Sequence, residues 1–287
     1  MLGHMPTTSP VVRRRRLGLE LRALREHVNE DGLTGEAAAA ALNWSSSKLS
    51  RMELGRNPPS PADLNKLMDL YGVTDQARRD ELTLLLREAK RKGWWQIYSD
   101  VPYSTYIGLE AEAISLRTYE NVVPGLFQTE AYARAIIMGT GPGVEPEPLE
   151  QRVEARMTRQ AVLTKESPLQ ARAVLDESVI RRMVGGPDVM RKQIARLLEL
   201  TELPNVIMQV IPFEAGAHPG TLLGPFSILE FEHPADPGVV CVEANSDPYP
   251  DREGDLARYA LAFDHLRSAA LSTSQTTALL RDLAQQL

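Results

Sequence analysis

The chain has 287 residues, 43% of them hydrophobic and 24% charged, with one cysteine and a formal net charge of −6. That length is expected to hold two domains, with apolar content enough for two cores. A single cysteine excludes an intrachain disulfide and any multi-cysteine metal site. No apolar run approaches the ~18 residues of a membrane-spanning helix, and no secretory leader is read, so a soluble, cytoplasmic, nucleoid-associated protein is expected.

Charge is distributed unevenly. Residues 1–93 hold 16 Lys and Arg against 12 Asp and Glu, which leaves 16 against 26 for the remainder. A basic first part favours a nucleic-acid partner there, and an acidic second part argues against DNA running over it.

In chain order, residues 1–12 are expected to form a disordered arm, the opening Met1–Met5 having the look of a cloning remnant. From Arg13 to Val28 the apolar positions Leu17, Leu21, Leu24 and Val28 give one helical stripe. The next stretch reads as two short helices broken by a tight turn. Thr34 caps an alanine-rich helix, Asn43 tolerates the left-handed corner, Ser45 caps the second helix and Gly55 stops it. In that second helix Leu49 and Met52 face inward, while Ser46, Ser47, Ser50 and Arg51 point away. Such a helix-turn-helix fits a DNA major groove. Ser60-Pro61-Ala62-Asp63 opens a fourth helix with Leu64, Leu67, Met68 and Tyr71 on its buried face. A fifth runs from Asp75 to Lys92 and buries Leu82, Leu85, Leu86 and Ala89.

The order Leu33-Thr-Gly-Glu, then Ser45-Ser-Ser-Lys-Leu-Ser-Arg51-Met-Glu53-Leu-Gly55-Arg56, resembles the Xre-type repressors, related to phage repressors and Cro. The resemblance implies that Ser46, Ser47 and Arg51 reach base edges, with Lys48 nearby. An arginine forked onto guanine is worth roughly 1–3 kcal/mol of discrimination. Thr34, Ser45, Ser50 and Arg56 complete the set expected around that helix. A buried pair between Arg25 and Glu53 is implied as well. The chain departs from the family at Gly35, where a phosphate-touching glutamine is usual; the backbone N–H remains able to bind phosphate there. The run Arg13 to Arg16, with Arg14 and Arg15 foremost, is expected to contact phosphate, a solvated helix start being the alternative. Double-stranded operator DNA read by a homodimer follows, because half-sites roughly 34 Å apart supply the specificity one short helix lacks.

The second part, residues 93–287, follows the helix-turn-helix domain of residues 13–92. Its opening aromatics, Trp94, Trp95, Tyr98, Tyr103 and Tyr106, read as a junction or as one wall of a pocket. Helices are predicted near Leu109–Tyr119, Thr129–Met138, Glu147–Leu163, Pro187–Leu203, Asp251–Ala270 and Thr273–Leu287. Strands are predicted at Ala171–Leu175, Val206–Ile211, Phe226–Phe231 and Val239–Val242. The expected fold is therefore multi-domain: an all-α five-helix domain, then an α+β domain with a small, mainly antiparallel sheet whose last three strands form a meander.

Gly93-Trp-Trp, Tyr106-Ile-Gly-Leu-Glu110-Ala-Glu112, Arg117-Thr-Tyr-Glu120, Val123-Pro-Gly-Leu-Phe-Gln-Thr-Glu130, Val184-Gly-Gly-Pro, Val210-Ile-Pro-Phe and Gly216-Ala-His-Pro-Gly220 together resemble a sensory or partner-binding domain of actinomycete regulators, of the WhiJ and antitoxin-like kinds. The resemblance implies a small protein partner encoded nearby; the alternative is a small molecule enclosed among Trp94, Trp95, Tyr98, Tyr106, Phe127 and the loop at His218, with Glu110 and Arg117 in the same motifs. An interaction scaffold that has lost DNA binding is a third reading. Catalysis is not expected, and no cofactor, metal or membrane partner is read. Of the candidates weighed, Cys241 lies in an apolar strand run and His218 and His233 sit at turns; His265, Asp176 and Glu177 are the others.

Overall fold

The computed structural model describes residues 9–28, 31–98, 103–140, 145–234, 236–242 and 255–287. The chain divides into two units: Met1–Gln96 with His233–Asp236, and Ile97–Glu232 with Pro237–Leu287. Among the described residues no helix is long and apolar enough to cross a membrane.

Unit 1 contains α1 (Pro10–Glu26), α2 (Gly35–Ala41), α3 (Ser46–Glu53), α4 (Pro61–Leu70) and α5 (Gln76–Ala89). Residues 9–12 are not part of an arm. Ser9 caps α1, its hydroxyl accepting from the Val11 amide at 3.3 Å, with Pro10 at the first helical position. Val11 and Val12 are buried. Ser9-Pro10 is the same start signal as Ser60-Pro61; residues 1–8 lie outside the described residues. The apolar stripes meet in one core in which Leu17, Leu21, Leu49, Leu64, Leu67 and Leu82 are fully enclosed. Each such side chain contributes about 1.5–3 kcal/mol by leaving water. Helices α1 and α3 cross closely: a methyl group on Gly18 would stand 2.3 Å from the Glu53 carbonyl oxygen. Within the same unit Asp236 accepts from Arg16 Nε at 2.9 Å.

Unit 2 contains α6 (Ser104–Glu112), β1 (Ser115–Glu120), α7 (Glu130–Thr140), α8 (Pro146–Arg159), β2 (Gln170–Asp176), α9 (Ser178–Arg181), α10 (Pro187–Thr201), β3 (Val206–Ile211), α11 (Gly220–Leu223), β4 (Phe226–Glu230), β5 (Val239–Val242), α12 (Asp255–Ala269) and α13 (Thr273–Gln286). The expected α+β class holds. The five strands lie in the order β3-β2-β1-β4-β5. β1–β2 and β2–β3 are parallel, whereas β1–β4 and β4–β5 are antiparallel, so the sheet is mixed rather than mainly antiparallel.

Two expectations are corrected here. The segment read as one helix over Leu109–Tyr119 is α6 ending at Glu112 followed by strand β1. Charged Arg117 and Glu120 disguised that strand; Arg117 is answered by Glu230 on neighbouring β4, 2.7 Å away. Nor do the last three strands form a meander. Helices α9 and α10 carry the chain from β2 to β3, as a parallel pairing requires, and this sends β3 to the far edge. One sheet face packs Tyr119, Val174, Ile211, Phe226, Ile228 and Val240 against Tyr259, Phe263 and Leu266 of α12. Parallel strands β1, β2 and β3 all end on the same edge, at Glu120, Asp176 and Ile211, and β4 starts there.

Candidate nucleic-acid interface

The α2–turn–α3 geometry follows from its caps. The Thr34 hydroxyl accepts from the Ala37 amide at 3.2 Å, and that of Ser45 accepts from the Lys48 amide at 3.3 Å. Between the helices Asn43 adopts φ 55°, the left-handed corner its side chain tolerates. Gly55 ends α3 at φ +68°, in a place where a side chain would also strike the Arg15 backbone. The carbonyl of Arg51 then accepts from the amides of Arg56 and Asn57, at 2.9 and 3.1 Å, fixing the exit loop.

Leu49 and Met52 pin α3 to the core, and Ser46, Ser47, Ser50 and Arg51 are exposed on its outer face, as the periodicity predicts. Arg51 makes no ion pair among the described residues. Thr34, Ser45 and Arg56 are exposed beside it. Lys48 is held differently: its Nζ lies 3.1 Å from Asp63 and 3.8 Å from the centre of the Trp44 ring. It stiffens the helix start rather than reaching freely outward. Glu53, at the far end of α3, accepts from Arg25 Nε at 2.6 Å and from a second Arg25 nitrogen at 3.0 Å; both side chains are about 10% exposed. The hydrogen bond to Glu53 holds the Arg25 guanidinium above its ordinary pKa, against the opposing effect of burial.

The arginine run does not face phosphate as a block. Consecutive helical residues turn by about 100° each, so four in a row point in four directions. Arg13 pairs with Glu88 at 3.1 Å, Arg15 is buried, Arg16 engages Asp236, and half-buried Arg14 donates from Nε to the Pro10 carbonyl at 3.3 Å. The expected phosphate contact by Arg15 is therefore corrected: its side chain is turned inward.

The residues grouped for a partner or ligand are divided between the two units. Trp94 and Trp95 lie in unit 1, edge to face at 5.9 Å, with Trp95 buried. Tyr98, Tyr106, Glu110, Arg117, Phe127 and His218 lie in unit 2. There Phe127 is core, and Tyr106 donates to Ser227 Oγ at 3.4 Å. Glu110 accepts two hydrogen bonds from Arg159, both 2.8 Å, and the guanidinium sits 5.3 and 5.5 Å from the rings of Tyr106 and Tyr103. Glu110 and Phe127 are thus corrected to interior, structural roles, and Tyr106 is partly buried. Cys241 is buried, as expected for an inert thiol.

His218 alone of that set reaches the strand-end edge. Its side chain is 7% exposed, with Nε2 3.8 Å from Asp176 Oδ2 and the ring edge-on to Tyr119 at 5.6 Å. Tyr119 in turn packs so tightly on Gly220 that a methyl there would fall 2.3 Å from its ring. Sequence reasoning missed Tyr119, and it weighed Asp176 only as a catalyst.

Residues 16–82 match the model of a helix-turn-helix domain, and residues 103–282 match that of a domain of unknown function, DUF5753. No curated protein and no solved structure matches the chain.

Proposed function

From the premise that the chain belongs to the DUF5753 family and carries a helix-turn-helix domain ahead of that region, we propose a sequence-specific transcriptional regulator of the Xre type. It binds operator DNA as a homodimer, α3 reading the major groove of each half-site. Unit 2 docks a small protein partner, as in WhiJ-like and antitoxin-like regulators, and sets the outcome. The observation carrying this reading is the outer face of α3: exposed hydroxyls around an arginine with no ion pair among the described residues, on a helix locked by its caps and by the Arg25–Glu53 pair.

The test is Arg51→Ala. Loss of a bidentate guanine contact is expected to weaken operator binding by about 1–3 kcal/mol, roughly 5- to 150-fold, while binding to unrelated duplex changes far less. Equal losses on both DNAs in an electrophoretic titration at fixed salt would remove Arg51 from the reading face.

A further inference from the structure

The strand-end edge of unit 2 carries groups that the DNA-binding reading leaves unused. In open sheets with parallel strands, ligands settle outside the carboxyl ends, where the strand order reverses. Here β1, β2 and β3 are laid down in one direction, and β4 then returns on the other side of β1. At that reversal stand Tyr119, Asp176 and His218.

Asp176 is 24% exposed. Its Oδ1 accepts from the Ser178 amide at 2.9 Å, and its Oδ2 lies 3.8 Å from His218 Nε2, too far for a hydrogen bond. The next cation after Asp176 in the chain, Arg181, pairs with Glu177, which also accepts from the Phe213 amide at 2.7 Å. A second observation is independent of the carboxylates. The His218 side chain is more than nine-tenths buried, and its Nδ1 has no hydrogen-bond partner among the described residues. A buried ring nitrogen left so costs stability unless something supplies its partner. Burial first, then Asp176 and Glu120, lift the Tyr119 phenol to about 12, so a negative field acts at this edge.

We propose that this edge binds an alkylammonium or guanidinium group, with Asp176 Oδ2 as the counter-ion and Tyr119 and His218 as its walls. The inference rests on the reading that unit 2 receives the regulatory signal, and it names the chemistry received. Such a group comes either from a free amine or guanidine, or from a Lys or Arg of a partner polypeptide. Exposed Phe213 and Leu222, the latter 94% exposed and in α11, flank His218 in the chain and would touch apolar neighbours of a polypeptide's basic residue.

The full chain, without DNA, is titrated by NMR with n-butylguanidinium, n-butylammonium, butyrate and blocked Leu-Arg-Leu. The two cations are expected to shift the His218 ring signals saturably, and butyrate is not. Asp176→Asn, which keeps an oxygen for the Ser178 amide, is expected to weaken cation binding at least tenfold. Tighter binding of the tripeptide than of butylguanidinium, lost in Leu222→Ser, assigns the group to a polypeptide; equal affinity assigns it to a free ligand. Absence of saturation, competition by butyrate, or an Asp176→Asn variant that binds as well as the parent overturns the proposal. Because no DNA is present, this result is separate from that of the Arg51 test.

Discussion

Glu110→Ala is expected to destabilise unit 2 by about 3–5 kcal/mol, because it strands a charge that cannot leave. Glu110 is 1% exposed, and its partner Arg159 is nearly as enclosed. Burial by itself lowers the pKa of Arg159, yet the adjacent carboxylate holds the guanidinium above the ordinary arginine range. With Glu110 gone, the remaining neighbours are the faces of Tyr103 and Tyr106, which stabilise a cation by only about 0.5–2 kcal/mol. The pair joins α6 to the last turn of α8, so its loss should loosen both helices. Hydrogen exchange in the intact chain reads this locally: amides of α6 and α8 are expected to lose protection while those of α1–α5 keep theirs. The double variant Glu110→Met with Arg159→Met should recover most of the loss, since an apolar pair needs no counter-ion. A double variant as unstable as Glu110→Ala would mean that shape, rather than charge, makes the site costly to change.

Glu53→Ala is the corresponding change in unit 1, again with about 3–5 kcal/mol at stake. The Arg25 guanidinium donates twice to Glu53, once to the Leu33 carbonyl at 2.6 Å and once, at 3.5 Å, to Glu26. It thereby ties the end of α1 to the approach to α2 and to the last turn of α3, the helix proposed to read DNA. Operator affinity should fall with stability at elevated temperature, although Glu53 touches no base. Glu26→Ala supplies the contrast. That carboxylate lies 3.5 Å from Arg25 but is 46% exposed, so solvent screens the pair to below about 1 kcal/mol. Thermal unfolding followed through unit 1 amides should separate the two variants widely; equal effects would contradict the structural role given to Glu53.

The DNA-binding unit was legible because its information is local. Leu49 and Met52 against Ser46, Ser47, Ser50 and Arg51 is a period-3.6 pattern, and Asn43 and Gly55 announce their backbone conformations by residue type. The Arg25–Glu53 pair came from family resemblance, since nothing in spacing alone joins those positions. Reading Arg13 to Arg16 as one basic surface failed because charge counting ignores helical rotation, which turned Arg15 inward and Arg16 toward Asp236. In unit 2 the strands with β-branched runs were found, whereas β1 was missed because Arg117 and Glu120 sit in it, with partners on the neighbouring strand and within β1. Strand order is non-local, so neither the parallel core of the sheet nor the meeting of Tyr119, Asp176 and His218 could be read from periodicity. Trp94, Trp95, Tyr106 and Phe127 were grouped by aromatic character, which does not distinguish a pocket wall from a core.

Selection from a pool of random duplexes tests the central claim most directly. The full chain, retained on the pool at physiological salt, is expected to enrich a two-fold symmetric sequence with half-sites one helical turn apart and a guanine in each half. The Arg51→Ala chain run in parallel should lose that guanine and keep the spacing. Enrichment of no sequence at all, or of the same guanine by both chains, would contradict a DNA-reading role for the outer face of α3.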